Sequence, residues 1–291
     1  MRDFHALRVI FTHCGNMLDR MKFAICNEIF KGWKIEDVFR YAADLGYQGV
    51  EIAPFTLANS VTDILAGERR RIRSAAAAAG IEIVGLHWLL AKPEGLHVNH
   101  PDDGIRRRTA KYLCELVDFC ADLGGWVMVF GSPKQREVLP GVSRAQAREW
   151  LLETLRDPIA RAEQLSVTIC LEPLGPAETN FINTAAEALE IVKAIPSPHF
   201  KILLDVKAMC SESKPIPQII RESWPNFAHF HANDMNFKGP GFGEVNFGPI
   251  AAALKEVPYA GFVSVEVFNF DEGCEVIASK SLETLQQAFG S

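Results

Sequence analysis

The sequence predicts a single-domain (β/α)8 barrel, an α/β fold in which eight parallel strands alternate with eight helices. Strand and helix signals alternate from Met21 to the end of the chain with little interruption. The strands are short apolar runs, as expected where both faces of a parallel sheet are covered. The 291 residues are enough for one barrel of roughly 250 residues. A doubly wound open sheet is the competing fold, but no GxGxxG motif follows the first strand.

The eight units can be placed in order along the chain. Apolar runs rich in β-branched residues predict strands, and runs of strong helix formers predict helices. The predicted strands are 22–27, 48–53, 82–87, 126–130, 168–172, 201–205, 227–231 and 262–267. The predicted helices are 35–46, 67–80, 104–124, 143–165, 184–195, 215–223, 247–257 and 272–289.

Several predicted helices carry end signals. Gly46 closes the first helix, because glycine readily adopts the left-handed conformation of a helix end. Ser143 with Gln146, and Thr184 with Glu187, have the spacing of a capping box at a helix start.

Residues 1–20 precede the first convincing strand and have no counterpart in the repeating pattern. Met21 then opens the first strand and looks like a natural start. We therefore expect residues 1–20 to be a loosely attached extension, which an upstream translation start would explain. Residues 21–291 are expected to form the barrel.

Composition excludes several classes of protein. With 48% hydrophobic and 23% charged residues, the chain can bury a large core. The net charge of −6 and pI near 5.8 argue against nucleic acid as a partner. No apolar run approaches a membrane span and no signal core is present, so we expect a cytoplasmic protein without a membrane partner. Seven cysteines without a CxxC pair are expected to be reduced packing residues.

Four residues with metal-binding side chains fall at the ends of the last four predicted strands. They are Glu172, Asp205, His231 and Glu266. Since chemistry in such barrels lies at the carboxyl ends of the strands, all four are expected at one rim. Three buried carboxylates would be costly without a cation. The set predicts one divalent metal ion, Mn²⁺ or Mg²⁺ first and Co²⁺ or Zn²⁺ as substitutes, with no organic cofactor.

Segments around these residues carry a family resemblance. They are LEPLGPAETNFINT (171–184), KILLDVKAM (201–209), HFHAND (229–234) with GPGFGEV (239–245) after it, and VSVEVF (263–268). They closely resemble the sugar phosphate isomerase/epimerase superfamily, the xylose isomerase-like TIM barrels, which includes D-tagatose 3-epimerase, hydroxypyruvate isomerase and inosose dehydratase. The resemblance covers essentially residues 21–291.

The resemblance implies roles for individual residues. In the ketose 3-epimerases, the positions of Glu172, Asp205, His231 and Glu266 hold one divalent ion. The two glutamates also act there as the acid and base on opposite faces of the substrate. A further substrate-binding glutamate of those enzymes corresponds to Glu178.

Two positions depart from the epimerase pattern. Ala208 stands where those enzymes have a substrate-contacting histidine, and Phe237 stands where they have an arginine. Lys207 and Lys238 are therefore candidate substrate-binding residues in the altered pocket. The metal site looks complete, whereas the substrate pocket looks different.

Further candidates lie at the ends of other strands. His87 and Trp88 end the third strand, where an imidazole and an indole could bind a sugar ring. Glu28 follows the first strand and Glu51 ends the second, so both are expected to face the same rim, although each could equally be a surface acid or a cap. His229 points the same way as His231 but one layer deeper, so we expect it to support the ligand or to pack in the core.

The preferred hypothesis is a divalent-metal-dependent isomerase or epimerase of a sugar or keto-polyol. Either Glu172 or Glu266 would remove a proton, giving a metal-bound cis-enediolate, and the other would return it. The partner would be a small sugar or sugar derivative, and a homo-oligomer is left open. A metal-dependent lyase or dehydratase acting on a keto-sugar or 3-keto-glycoside is the alternative. An endonuclease IV-like DNA repair enzyme and a non-catalytic sugar-binding barrel are weaker ones.

Overall fold

A computed structural model describes residues 21–290 of the chain. Its strands are β1 Lys22–Cys26, β2 Gly49–Ile52, β3 Glu82–Leu86, β4 Val127–Phe130, β5 Thr168–Leu171, β6 Phe200–Asp205, β7 Phe227–Ala232 and β8 Phe262–Val265. Each strand pairs in parallel with the next, and β8 pairs with β1 to close the barrel. The predicted fold class is confirmed. The predicted extension at residues 1–20 lies outside the described residues.

Helices follow the strands around the outside of the barrel. Those of residues 21–290 are α1 Ile35–Leu45, α2 Ala66–Ala79, α3 Asp103–Leu123, α4 Arg144–Leu165, α5 Ala185–Ala194, α6 Val206–Met209, α7 Ile216–Ser223, α8 Phe247–Glu256 and α9 Cys274–Gly290. The large hydrophobic core fills the space between this helical layer and the strands. Within residues 21–290, no helix is both long enough and apolar enough to cross a bilayer.

The helix ends follow the local sequence. Gly46 ends α1 in the left-handed conformation, at φ 105°. Ser143 and Thr184 cap α4 and α5, each accepting a hydrogen bond of 3.1 Å from the backbone N–H three residues on. At α5 the Glu187 carboxylate also accepts a hydrogen bond from the backbone N–H of Asn183, one residue before the N-cap Thr184, so the reciprocal contact differs from that of a capping box, in which the N–H of Thr184 would donate.

The short helix α6 was not predicted, and its cause lies in the residue that ends β6. The Asp205 side chain accepts a hydrogen bond of 2.8 Å from the backbone N–H of Ala208, so it acts as the cap of α6. A predicted metal ligand therefore also starts a helical turn. This turn fixes the backbone on the carboxyl side of β6.

Side chains that point into the barrel change from apolar to polar along the strands. Two small apolar clusters fill the lower part, one of Ala24, Val84 and Phe262 and one of Val127, Val129, Cys170 and Leu203. Above them lie four fully buried residues, Cys26, Glu51, His229 and Ser264. The six cysteines of the described region are free, in line with their expected packing role. The polar layer supports the carboxyl end of the barrel, where the candidate site lies.

Candidate active site

Four side chains meet at the carboxyl end of the barrel. Glu172 directly follows β5, Asp205 ends β6, His231 lies in β7 and Glu266 directly follows β8. One ligand-type atom from each lies within 4.8 Å of those of the other three, and all four residues are buried. The four residues singled out in the sequence are thus brought together, and we refer to them as the quartet.

The charges of the quartet are mutually dependent. Burial raises the pKa of Glu172 well above its ordinary value, and Glu266 and Asp205 raise it further. Burial also raises the pKa of Asp205, although Lys207 opposes this effect. Burial would likewise raise the pKa of Glu266, but His231, with Nδ1 3.0 Å from its carboxylate, lowers it. The three carboxylates can all be ionised only if a cation balances them.

The metal-coordinating groups of the quartet suit a divalent ion that prefers oxygen ligands. Three carboxylates and one imidazole are the ligand types of Mn²⁺ and Mg²⁺ sites. Two other groups of ligand-type residues lie nearby, and both include Cys26. Burial raises the pKa of the Cys26 thiol well above its ordinary value, and Glu51 raises it further, whereas metal binding requires the thiolate. The quartet is therefore the group that fits a metal best.

Both carboxylate oxygens of Asp205 are held in place. Oδ1 accepts the hydrogen bond from the Ala208 N–H, and Oδ2 accepts one of 2.6 Å from the Asn233 side chain. The Asn233 carbonyl in turn accepts a 2.8 Å hydrogen bond from the Lys207 backbone N–H. Asn233 is fully buried. Sequence reasoning missed it, although its position two residues after His231 places it on the same side of β7.

Glu51 holds the imidazole of His231 from below. Its Oε2 lies 3.1 Å from Nε2 of His231 and 2.7 Å from Nε2 of His229. All three side chains are fully buried. Burial would raise the pKa of Glu51, but the two imidazoles lower it well below its ordinary value, so the carboxylate accepts from both rings. With its proton on Nε2, His231 keeps the Nδ1 lone pair for the quartet.

These contacts answer two questions that the sequence left open, namely whether Glu28 and Glu51 are surface acids and what His229 contacts. Glu51 is completely buried and Glu28 is 8% exposed, so neither is a surface acid. His229 contacts Glu51 beneath the quartet, as expected of a residue that supports the ligand. Sequence reasoning could not decide these cases, because the partners of Glu51 are about 180 positions away in the chain.

The backbone around Glu172 is fixed by a buried arginine. Arg136 is fully buried and donates a 2.5 Å hydrogen bond to the Glu172 carbonyl oxygen. Burial lowers the pKa of Arg136 to about 10. Gly131 lies beside the carboxylate, and a Cβ there would be 2.2 Å from Oε2 of Glu172. The arginine and the glycine together fix where Glu172 can lie, and nothing in the local sequence marked Arg136 for this role.

Two of the predicted substrate-binding residues form an ion pair beside the quartet. Lys207 Nζ lies 2.5 Å from the Glu178 carboxylate and 4.2 Å from the ring centre of Phe268. Burial would lower the pKa of Lys207, but Asp205 and Glu178 raise it, so the amine is charged. Lys238 lies differently, because its amine pairs with Glu272 in the loop after β8.

His87 and Trp88 have different environments although they are adjacent. His87 is fully buried, and its Nε2 lies 2.6 Å from the Glu28 carboxylate. Its ring centre is 6.4 Å from that of His231. Trp88 is 39% exposed and adopts a positive φ of 52°. A sugar-binding role for either residue stays a prediction.

Comparison with known proteins identifies related sequences. Residues 39–288 match the family model for the xylose isomerase-like TIM barrel. A probable ketose 3-epimerase from Synechocystis sp. is 26% identical over 249 residues, covering 81% of this chain and 79% of that protein. D-psicose 3-epimerase from Agrobacterium fabrum is 34% identical over 107 residues, which span 37% of each chain.

Solved structures share the fold. A crystal structure of D-psicose 3-epimerase in the presence of D-fructose superposes with a TM-score of 0.81. The superposition covers 93% of this chain and 100% of the epimerase chain, at 21% sequence identity. At this identity the likeness establishes the barrel alone.

The contact between Glu51 and His231 predicts a role in metal affinity. In the Glu51→Gln variant the side-chain NH₂ group would lie against an imidazole N–H, so two donors would meet. This favours the His231 tautomer that carries its proton on Nδ1. Affinity for Mn²⁺ is expected to fall about 10- to 100-fold, measured by isothermal titration calorimetry after chelator treatment. Glu28→Gln is the matched control, since Glu28 is a buried acid bonded to His87, which is outside the quartet. Equal affinities in wild type and Glu51→Gln would contradict this role.

The pKa directions predict that protons compete with the metal. Burial raises the pKa of Glu172, and Glu266 and Glu51 raise that of His231 although burial opposes them. Both groups thus hold protons at a higher pH than free side chains would, and metal binding must displace them. As the pH is lowered, Mn²⁺ affinity should begin to decline at a pH above the ordinary histidine pKa of 6.5. It should continue to fall on further acidification. Titrations in buffers of different ionisation enthalpy should show proton release, and an affinity that is flat between about pH 8 and pH 6 would oppose this expectation.

Proposed function

Since the chain belongs to the xylose isomerase-like TIM barrels, the family predicted from its sequence, we propose that it is a divalent-metal-dependent epimerase or isomerase of a keto-sugar. The predicted enzyme class, a sugar isomerase or epimerase, agrees with the named activities of its relatives. The substrate, the ion and the roles of individual residues are our proposal.

The observation that carries the proposal is the convergence of two glutamates, an aspartate and a histidine within 4.8 Å at the carboxyl end of the barrel. Glu172, Asp205, His231 and Glu266 would hold the ion, with Mn²⁺ as the first choice. When bound, the ion supplies Lewis acidity that polarises a carbonyl and stabilises negative charge on the oxygens beside it. The raised pKa of Glu172 is in keeping with a site built for a cation.

The two glutamates are suited to proton transfer at a carbon next to a carbonyl. One of them removes the proton of the C–H bond, and the bond's electron pair passes into an enediolate. The other returns a proton to the opposite face, which inverts the configuration of that carbon. Arg136 and Gly131 position Glu172. Return of the proton to the neighbouring carbon would give an isomerisation instead.

The ion pair of Lys207 and Glu178 is suited to orienting the sugar. Its ammonium group can donate to a hydroxyl, and the second carboxylate oxygen of Glu178 can accept from one. Ala208 and Phe237 add no polar group here, so orientation depends on this pair. The predicted involvement of Lys238 receives less support, because its amine is paired with Glu272.

The proposed proton transfer predicts the behaviour of two variants. Glu172→Gln and Glu266→Gln cannot exchange a proton, so turnover is expected to fall by a factor on the order of 10³ or more while the fold is kept. The measurement is formation of the epimerised or isomerised keto-sugar with Mn²⁺ present, because the remaining glutamate of each variant can still exchange a proton for solvent deuterium on its own face. Glu190→Gln on the outer face of α5 is the control, and it should form product like the wild type.

Two outcomes would contradict the proposal. Full turnover in either variant would remove that glutamate from the proton-transfer pair. A wild-type product lighter by one water would identify a dehydratase, the alternative reaction that begins with the same proton removal.

A further inference from the structure

A large cavity lies beside the quartet. Its volume is about 1180 Å³, above the roughly 300–1000 Å³ of most small-molecule sites. It is bounded by the segment after β1, the first half of α1, the loop after β2, part of α2 and the loop after β8. No quartet residue lines it. A single sugar ring at the quartet would leave this cavity unused.

The cavity and the quartet share walls. Glu28 lines the cavity and bonds to His87, whose ring centre lies 6.4 Å from that of His231. Phe268 also lines the cavity, and the Lys207 amine lies over its ring. A molecule with one end at the quartet can therefore extend into the cavity past Phe268.

Aromatic rings run in sequence from the cavity to the quartet side. Ring centres are 5.9 Å apart for Phe55 and Trp88, 6.2 Å for Trp88 and Phe268, and 6.3 Å for Phe268 and Phe237. We call these four residues the aromatic wall. Aromatic faces pack well against the C–H faces of sugar rings, because their flat apolar surface needs no hydrogen-bond partner. Because neighbouring ring planes are inclined by 68°, 45° and 90°, the wall offers a succession of separate aromatic faces and edges over a length greater than one sugar ring needs.

Two members of the aromatic wall have an unfavourable backbone conformation. Trp88 has φ 52° and Phe237 has φ 67°, in the left-handed region that bulky side chains rarely adopt. Such conformations are energetically costly and concentrate at functional sites. Trp88 and Phe237 both contact Phe268. Their backbone conformations therefore support a role of the aromatic wall in ligand binding over a role in packing.

Exposed aromatic side chains are concentrated in the same cavity. In the described part of the chain nine large hydrophobic residues are exposed, and four of them, Trp33, Phe55, Trp88 and Phe270, line this cavity. Each is between 36% and 41% exposed. Exposed apolar side chains that cluster in this way commonly mark a binding site.

The charges of the cavity favour an uncharged ligand. Its lining includes four basic residues, Lys31, Lys34, Arg40 and Arg71, and four acidic residues, Glu28, Glu36, Asp37 and Glu68. Arg40 pairs with Asp37, and Arg71 pairs with both Glu36 and Glu68. The positive and negative charges of the lining are equal in number, and both arginines, whose guanidinium groups would best bind a phosphate or carboxylate, already pair with acids of the lining. Among its basic residues this leaves the two lysines as possible anion contacts.

We infer that this cavity is a second sugar subsite, and that the substrate is an uncharged keto-disaccharide or other keto-glycoside. Its reacting unit lies at the quartet, and its second ring stacks along Phe55 and Trp88 towards Trp33 and Phe270. The inference rests on the proposed epimerase function of the quartet. It adds the class of sugar that the enzyme selects.

The test compares D-fructose with two glycosylated forms of it, lactulose and palatinose, in the presence of Mn²⁺. The wild type is expected to show a kcat/KM for a glycosylated ketose about tenfold or more above that for D-fructose. Trp33→Ala and Phe270→Ala should each lower this ratio about three- to tenfold, mainly through KM. Trp224→Ala is the matched control, since Trp224 is 37% exposed against 36% for Trp33 and lies outside the cavity.

Binding is measured separately by saturation-transfer NMR of palatinose, which does not depend on turnover. Saturation of the protons of the non-reducing ring, reduced in Phe270→Ala, supports the subsite. A wild-type preference for D-fructose, or a ratio unchanged in both cavity variants, overturns it while leaving the proposed function standing. If none of these sugars exchanges deuterium, the failure lies with the proposed function, and the NMR signals alone decide whether the cavity binds the second ring.

Discussion

Mutual repulsion among three buried carboxylates is the constraint on which the rest of this site depends. Glu172, Asp205 and Glu266 converge where water cannot screen their charges. His231 offsets part of the repulsion, which explains why the pKa of Glu266 is lowered while those of the other two are raised. An arrangement of this kind is costly for a protein that has no cation to place there. This cost is the physical basis of our proposal that a divalent ion completes the quartet.

Hydrogen bonds from buried polar residues below and around the rim hold the quartet in place. Glu51 and His229 occupy interior positions that apolar side chains fill lower in the barrel, and they bond to each other and to His231. Asn233 and the cap of α6 hold Asp205, and Arg136 holds the backbone at Glu172. His231 and Glu172 are thus held at atoms other than those that would face the ion, and Asp205 is held through both of its carboxylate oxygens, which pre-organises the site.

Sequence reasoning was strongest where the information is local or periodic. The strand and helix pattern identified the barrel, and the topology of a barrel turned four strand-end residues into one cluster. It could not decide that Glu51 is buried, because its histidine partners are far away in the chain. Nor did it find Arg136, α6 or the cavity, which depend on packing between distant segments. The positive φ of Trp88 is likewise set by its surroundings and leaves no mark in the sequence.

Anomalous X-ray diffraction from crystals soaked in MnCl₂ would show whether the quartet binds one divalent ion. We expect one anomalous peak, with ligand atoms of Glu172, Asp205, His231 and Glu266 each within about 2.5 Å of it. The absence of a peak at the quartet would show that these residues do not form the metal site. So would a peak found instead at the neighbouring group of Cys26, Glu28 and His87.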